Sequence, residues 1–337
     1  MGLLAHYRRM WIAIFLGLLW LPIIGHTLLP SEQTSSFEGR VLRKPPTFPK
    51  TWSEWAALPR LLDAFLADHF GFRSTLTVAN AWLRYEASSP TNESVLYGRD
   101  GYLFYLGEGS VHQSIGVLMR EDRIKKFVDV AADLRDRLEK RSIPFLVAIP
   151  PNAATINIAH LPEWLARTPA STEYDLVLKM LEARGIAHLD LRPALRSDPP
   201  KYDRTGTHWN LLGAAIARNE IVRALGHPEW ETDIDKIFKG FRPGPGSELA
   251  RFLGVPFAFQ DQYALVDISS YPRGSGPTVL VIGDSFIGDY FPLIWANGGR
   301  IEVMQIYPCA ADFNAIMARN PSYVVFAPTE RRLYCPS

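Results

Sequence analysis

The hydrophobic pattern changes character along the chain, and its first stretch is the simplest. From Met10 to Leu29 it reads MWIAIFLGLLWLPIIGHTLL, without Asp, Glu, Lys or Arg. As a helix rising 1.5 Å per residue this run is about 30 Å long, the thickness of a bilayer's hydrocarbon core. Arg8 and Arg9 precede it and the polar stretch Ser31 to Ser36 follows, so the placement of positive charge predicts a cytoplasmic N-terminus and an exported remainder. A cleaved signal peptide shares the basic start, but LLPSEQTSS offers a poor small-x-small cleavage site, which favours an uncleaved anchor. Residues 1–36 are thus read as a cytoplasmic stub, a transmembrane anchor over 10–29 and a short linker, and residues 37–337 as one exported domain.

Within that domain, RVLRKPPTFPKTWSEWAALP from Arg40 to Pro59 reads as an extended linker, because prolines and polar residues interrupt any periodicity. Leu61 to Phe70 and Leu76 to Tyr85 read as helices separated by the breaker FGFR, Phe70 to Arg73. Two short aromatic and β-branched runs flank Asp100-Gly101 between Val95 and Tyr105, the pattern of a hairpin. Strands then alternate with helices. Ile124, Phe127, Val128, Ala131, Leu134 and Leu138 recur at helical spacing, and the continuous apolar run PFLVAI, Pro144 to Ile149, follows. Helices are expected at Glu173 to Ala183, Leu211 to Leu225 and near Asp312 to Arg319; strands at Ile186 to Leu191, Thr278 to Ile282, Ile301 to Ile306 and Tyr323 to Ala327. Fully apolar strands between amphipathic helices predict an α/β fold, a parallel sheet flanked by helices on both faces. The stretch 227–271 breaks the alternation and reads as an insertion or lid.

Composition narrows the function classes. With 36 Lys and Arg against 35 Asp and Glu the net charge is +1, which gives no electrostatic reason to expect nucleic acid as a partner. The 47% hydrophobic and 21% charged content over 337 residues suits a globular body with a sizeable core. Two cysteines are too few for a disulfide scaffold or a four-thiolate zinc site, and no His, Cys, Asp or Glu cluster has metal-ligand spacing. In an oxidising compartment Cys309 and Cys335 are a candidate disulfide; two unpaired buried thiols are the alternative.

Ligands of parallel sheets bind at the carboxyl ends of strands, so residues just after strands are the ones to weigh. Ser285, in TVLVIGDSFIGDYF, stands where a strand ends and a helix begins, with Gly283 permitting a tight turn. That geometry exposes a hydroxyl beside unpaired backbone N–H groups able to hold an oxyanion; a plain N-cap serine is the structural alternative. A nucleophilic serine needs a base, and among eight histidines His208 stands out, on a loop after a strand and directly before a helix in YDRTGTHWNLLGAA. Asn152, after the Pro144 to Ile149 strand, carries an amide that could serve an oxyanion, although Pro-Pro-Asn is also a common turn. Asp284 is read as bracing the turn. Trp209, Tyr290 and Arg331 are candidate sugar contacts, with core packing or a salt bridge as the alternative.

GRDGYLFY at Gly98 to Tyr105, FGFR, IPPN at Ile149 to Asn152, THWNLLGA at Thr207 to Ala214, GDSF at Gly283 to Phe286 and ERRL at Glu330 to Leu333 occur in an order that resembles the alginate O-acetyltransferase family, AlgJ and AlgX type, whose members are SGNH-hydrolase-like. The resemblance covers about residue 37 to the C-terminus. It implies a membrane-anchored or periplasmic enzyme that acetylates hydroxyls of an exported polysaccharide; with the anchor read from Met10 to Leu29, the expectation is the cell inner membrane, single-pass, with the catalytic domain in the periplasm. It also implies Ser285 as nucleophile, His208 as base, no tightly bound cofactor, and an acetyl donor supplied by a multi-spanning membrane acyltransferase. An acetyl-glycan esterase is the near alternative, and a non-catalytic scaffold or glycan-binding subunit the contrasting one. Two departures stand out. The family's Asp-Thr-His-Trp is GTHW here, Gly206 replacing the Asp that orients the histidine, so Asp203, a backbone carbonyl or water is left to do so. The basic residue after PPN is Ala153.

Overall fold

The computed structural model describes residues 2–28, 33–35, 40–87, 92–165 and 171–335. Leu29, most of the candidate cleavage stretch and the 36/37 boundary lie outside the described residues. Two compact units are present, Met1–Asn92 with Arg251–Val255, and Glu93–Ala250 with Pro256–Ser337.

In the first unit the apolar run lies in helix α1, Gly2–Leu28, whose span His6–His26 is long and apolar enough to cross a membrane. A two-residue ladder joins β1, Thr34–Ser35, to β2, Arg40–Val41. The chain is then extended only to Thr51: helix α2 runs Trp52–Asp68 and helix α3 Arg73–Glu86. The expected linker to Pro59 is therefore half helix. Thr51 caps it, its hydroxyl accepting from the Glu54 N–H, a Thr-x-x-Glu start that outweighs the one backbone bond Pro59 forfeits. Phe72, at φ 63°, makes the turn between the two helices.

The second unit opens with the hairpin β3, Val95–Tyr97, and β4, Leu103–Tyr105, turning through Asp100 and Gly101 at positive φ. Helix α4, Glu121–Glu139, buries all six periodic apolar residues. Strand β5, Phe145–Ile149, helix α5, Glu173–Ala183, strand β6, His188–Asp190, and helix α6, Leu211–Ala224, follow. The stretch 227–271 holds an antiparallel pair, β7, Phe238–Pro245, and β8, Gln260–Val266. Strands β9, Gly276–Gly283, β10, Gly299–Gln305, and β11, Tyr323–Ala327, complete the set. The sheet is parallel throughout, in the order β10-β9-β11-β5-β6.

Alternation along the strands divides the core. Val147, Ile149, Leu280, Ile282, Val324 and Phe326 pack with α4 and α5 on one face. Leu146, Ala148, Val279, Val281, Val325 and Ala327 pack with α6, Phe286 and Trp295 on the other. Each buried Val, Leu, Ile or Phe among them contributes about 1.5–3 kcal/mol, which fixes the strand ends from which the site is built. Cys309 and Cys335 are joined as a disulfide with Cα atoms 5.5 Å apart across a separation of 26 residues, so the unpaired alternative does not hold. Closing that loop contributes roughly 3.5 kcal/mol by the chain-entropy account.

Candidate active site

Strand β9 ends at Gly283 because the chain must pass close to β11. A Cβ there would lie 2.7 Å from Ala327 O and 2.8 Å from the Ile287 side chain. The glycine thus answers a close approach. Asp284 braces the turn, its Oδ1 accepting from the Phe286 N–H at 3.1 Å and its Oδ2 from the Thr329 hydroxyl at 2.5 Å. Ser285 then begins a single helical turn, Ser285–Gly288, its hydroxyl and its own N–H side by side at a helix start.

His208 reaches the same place from the loop between β6 and α6. Asn210 caps α6 by accepting from Gly213 N–H at 3.0 Å, and Tyr202 and Trp209 pair across the base of the loop. The imidazole between them is nearly buried. Its Nε2 stands 2.7 Å from Ser285 Oγ, and its Nδ1 stands 2.7 Å from Glu248 Oε1 and 2.9 Å from Oε2. Glu248 also accepts from the Thr207 N–H at 3.0 Å and hydroxyl at 2.5 Å. Burial alone would raise its pKa; the hydrogen bond and charge of His208 and the two bonds from Thr207 overcome that and bring it down to about 2. Glu248 is therefore an anion throughout the neutral range, with the ring's Nδ1–H as its natural donor.

Glu248 comes from the stretch read as an insertion, and Asp261 holds that stretch on the histidine loop. Fully buried on β8, Asp261 accepts from the N–H groups of Arg204 at 2.6 Å, Thr205 at 3.3 Å and Ser247 at 3.1 Å, and from the Thr205 hydroxyl. Leu249 N–H donates to Thr205 O at 2.9 Å. One carboxylate thus ties loop 204–205 to turn 247–249 and sets Glu248 against the ring.

Asp203, the nearest carboxylate in sequence, makes no such contact. Its Oδ2 is 3.5 Å from the Ser247 hydroxyl and its Oδ1 is buried without a partner among the described residues. Gly206 explains the exchange. A Cβ at 206 would fall 3.1 Å from Asp203 Cβ and 3.6 Å from Ser247 Oγ, so Asp203 and Ser247 fill the space an aspartate at 206 would enter. Burial, then the charges of Asp261 and Glu248, push the Asp203 carboxyl up to about 7, against one lowering bond from Ser247. An acid with a raised folded-state pKa costs stability as pH rises from its unfolded value toward the folded one. Asp203→Asn is therefore expected to melt higher than the parent at about pH 8, by up to about 4 kcal/mol, and to lose that advantage near pH 4. Thermal melts of both proteins at the two pH values measure it.

The remaining candidates separate. Trp209 is fully buried, donating Nε1–H to Phe286 O at 3.0 Å and stacking on Phe291; it supports the serine turn from beneath and offers no face to a sugar. The Asn152 amide donates to Ser110 O, Gln113 Oε1 and Ser114 Oγ at 3.2–3.4 Å and its backbone N–H to Glu330 Oε2 at 2.7 Å, so it is bonded inward and not to Ser285. It lines a narrow cleft with Tyr105, Ser110, Ala153, Thr207 and Arg331. Arg331 pairs with Glu108 at 3.2 Å and lies over the Phe286 ring, the residue next to Ser285. The Tyr290 ring is 5.9 Å from the imidazole; burial first, then the charges of Glu248 and Asp203, push its hydroxyl far up, leaving it a proton donor. Glu248, Thr207 and Asp261 were not legible beforehand. Forty residues separate Glu248 from His208, and no spacing rule joins them.

A parallel sheet flanked by helices, with Ser285 just past the end of β9 and His208 on the loop after β6, is an SGNH-hydrolase-like fold; the carboxylate, Glu248, is brought in from the β7–β8 excursion. Residues 95–244 match the family described as SGNH hydrolase-like domain, acetyltransferase AlgX, the family that the motifs resemble. The match includes His208 and stops short of Glu248 and Ser285. The O-acetyltransferase domain of Pseudomonas putida AlgJ superposes with TM-score 0.50 at 18% identity, over 71% of this chain and 92% of that one. Bacillus cereus PatB1 does so with TM-score 0.52 at 13% identity, over 73% and 98%. These likenesses bear on the fold. A sequence comparison with curated proteins gives no match.

Proposed function

We propose that the chain is a serine-dependent O-acetyltransferase that places acetyl groups on hydroxyls of an exported polysaccharide. The observation that carries the reading is the continuous relay Ser285 Oγ, His208 Nε2, His208 Nδ1, Glu248 in a chain whose family model is an acetyltransferase domain. His208 takes the Ser285 proton as Oγ bonds to the acetyl carbonyl carbon, and the carbonyl electrons move onto oxygen. On collapse the donor's leaving group departs with that proton. A sugar hydroxyl then gives its proton to His208 as its oxygen attacks the acyl ester, and Ser285 Oγ leaves and recovers the proton. Glu248 holds the imidazole in the tautomer that accepts at Nε2 and balances the imidazolium charge. The N–H at the helix start and the nearby Arg331 cation are placed to stabilise the oxyanion.

The setting is part of the same reading. An apolar α1 as an inner-membrane anchor and a Cys309–Cys335 disulfide agree with a periplasmic domain, where acetyl must arrive through a membrane acyltransferase partner. Half-exposed Ser285 also admits water as acceptor, so acetyl-ester hydrolysis is the second reading. The test supplies the detergent-solubilised full chain with a chromogenic acetyl ester and a polysaccharide acceptor. Acetyl recovered on the polysaccharide is the expected result, acetate alone means an esterase, and release equal to that of Ser285→Ala means neither.

A further inference from the structure

We propose that the α2–α3 hairpin lies on the outer surface of the bilayer that α1 crosses, with one side of each helix inserted at headgroup depth. The proposal rests on the anchor reading of α1 and adds a second, parallel mode of membrane attachment.

Three observations carry it. First, α2 has an exposed apolar stripe: Trp52 is 87%, Trp55 47%, Leu62 40% and Leu66 62% exposed. At 100° per residue these four positions fall within one narrow arc, and Pro59 falls among them. Phe48, 80% exposed, extends the stripe by packing its edge on Trp55 at 5.7 Å. On α3, Leu76 and Leu83, 52% and 67% exposed, stand seven residues apart and share a face. Monomeric water-soluble surfaces rarely carry so many large apolar groups in one line.

Second, the turn between these helices is seated on the end of α1. Gly25 is buried, and a Cβ there would lie 2.6 Å from the Phe72 ring and 2.8 Å from Gly71 Cα. Gly25 is in the last turn of the span His6–His26, so the contact fixes the start of α3 and the end of α2 at the level where the span leaves the hydrocarbon. A helix pair held at that depth meets lipid before it meets water.

Third, the residue types suit that depth. Tryptophan is the side chain most at home at the headgroup boundary, where its ring is half apolar and its N–H finds water or ester oxygens. Arg60, Ser53 and Glu54 are exposed on the flanks away from the stripe, with Asp63 at its border beside Trp52, so the helix is amphipathic across its exposed side, as a helix lying in the interface must be. Exposed Lys44 and Lys50 precede it and add attraction to anionic headgroups.

The experiment uses the full chain in vesicles of phosphatidylethanolamine and phosphatidylglycerol, with an environment-sensitive fluorophore on cysteine at one of four sites, Leu66→Cys, Trp52→Cys, Arg60→Cys or Leu18→Cys. Lipids carrying a nitroxide near the headgroup are expected to quench the labels at 66 and 52 several-fold more than the label at 60, while a nitroxide near the acyl-chain end quenches the label at 18. If the label at 18 is quenched but those at 66 and 52 are as open to aqueous iodide as the one at 60, the interfacial proposal is overturned and the anchor stands. If the label at 18 reports water, both fall. Labels at 66 and 52 shielded from iodide and untouched by lipid nitroxide would mean that a protein covers the stripe, which also overturns the proposal.

Discussion

Glu248→Gln is expected to lower kcat for acetyl-ester turnover by about 10³–10⁴-fold with little change in KM, the loss seen when a triad carboxylate becomes an amide. The physical reason is tautomeric. The imidazole needs its proton on Nδ1 so that Nε2 can accept from Ser285, and Glu248, bonded at 2.7 Å and held to about 2 in pKa, enforces that state at any working pH. An amide can present its NH2 to Nδ1 and drive the proton to Nε2 instead, where it blocks the serine. Asp203→Asn is expected to leave turnover within a few-fold of the parent, because Asp203 touches Ser247 and not the ring. Initial rates of the three proteins decide between the two carboxylates. Equal losses in both variants would return Asp203 to the relay. The linkage adds a sign: a carboxyl with a depressed folded-state pKa supports the fold fully above its unfolded value near 4.5 and loses that support only as pH falls toward 2. The acid limb of a rate profile is therefore not set by Glu248.

How much could be read in advance follows from where each group sits. The positions of Ser285 and His208 were legible, Ser285 because it follows an apolar strand at a helix start and His208 because it stands just before the cap of a helix, local signals that survive in one dimension. The sheet was legible for the same reason: Val279 to Ile282 and Val324 to Ala327 are buried on both faces and read as continuous apolar runs. Glu248 was not, since it arrives on the β7–β8 excursion and is placed by Asp261, a contact between segments more than fifty residues apart. Gly206 signalled that a carboxylate was missing without saying which one replaced it. Trp209 shows the opposite failure, an aromatic beside the base that looked like a sugar platform and is core. In α2 the capping residues Thr51 and Glu54 were in view, and Pro59 drew the boundary too late.

Ser285→Ala is expected to remove turnover by at least about 10⁴-fold, leaving the residual acceleration that positioning and oxyanion donors give without a nucleophile. Because Ser285 Oγ is bonded to His208 Nε2 and sits at a turn braced by Asp284 and Gly283, the alanine keeps the fold and removes only the attacking oxygen. Unchanged melting with lost activity separates this from unfolding. A covalent route also predicts a burst of product before steady state whenever deacylation is slower than acylation, which a general-base attack by water would not give.

The most direct measurement is to mix the full chain with the chromogenic acetyl ester, quench in acid within the burst and determine the mass of the peptide that contains Ser285. One added acetyl group on that peptide, absent in Ser285→Ala and scarcely formed in Glu248→Gln, is the predicted result. Turnover with that peptide unmodified, or the acetyl group found on another residue, would contradict the account.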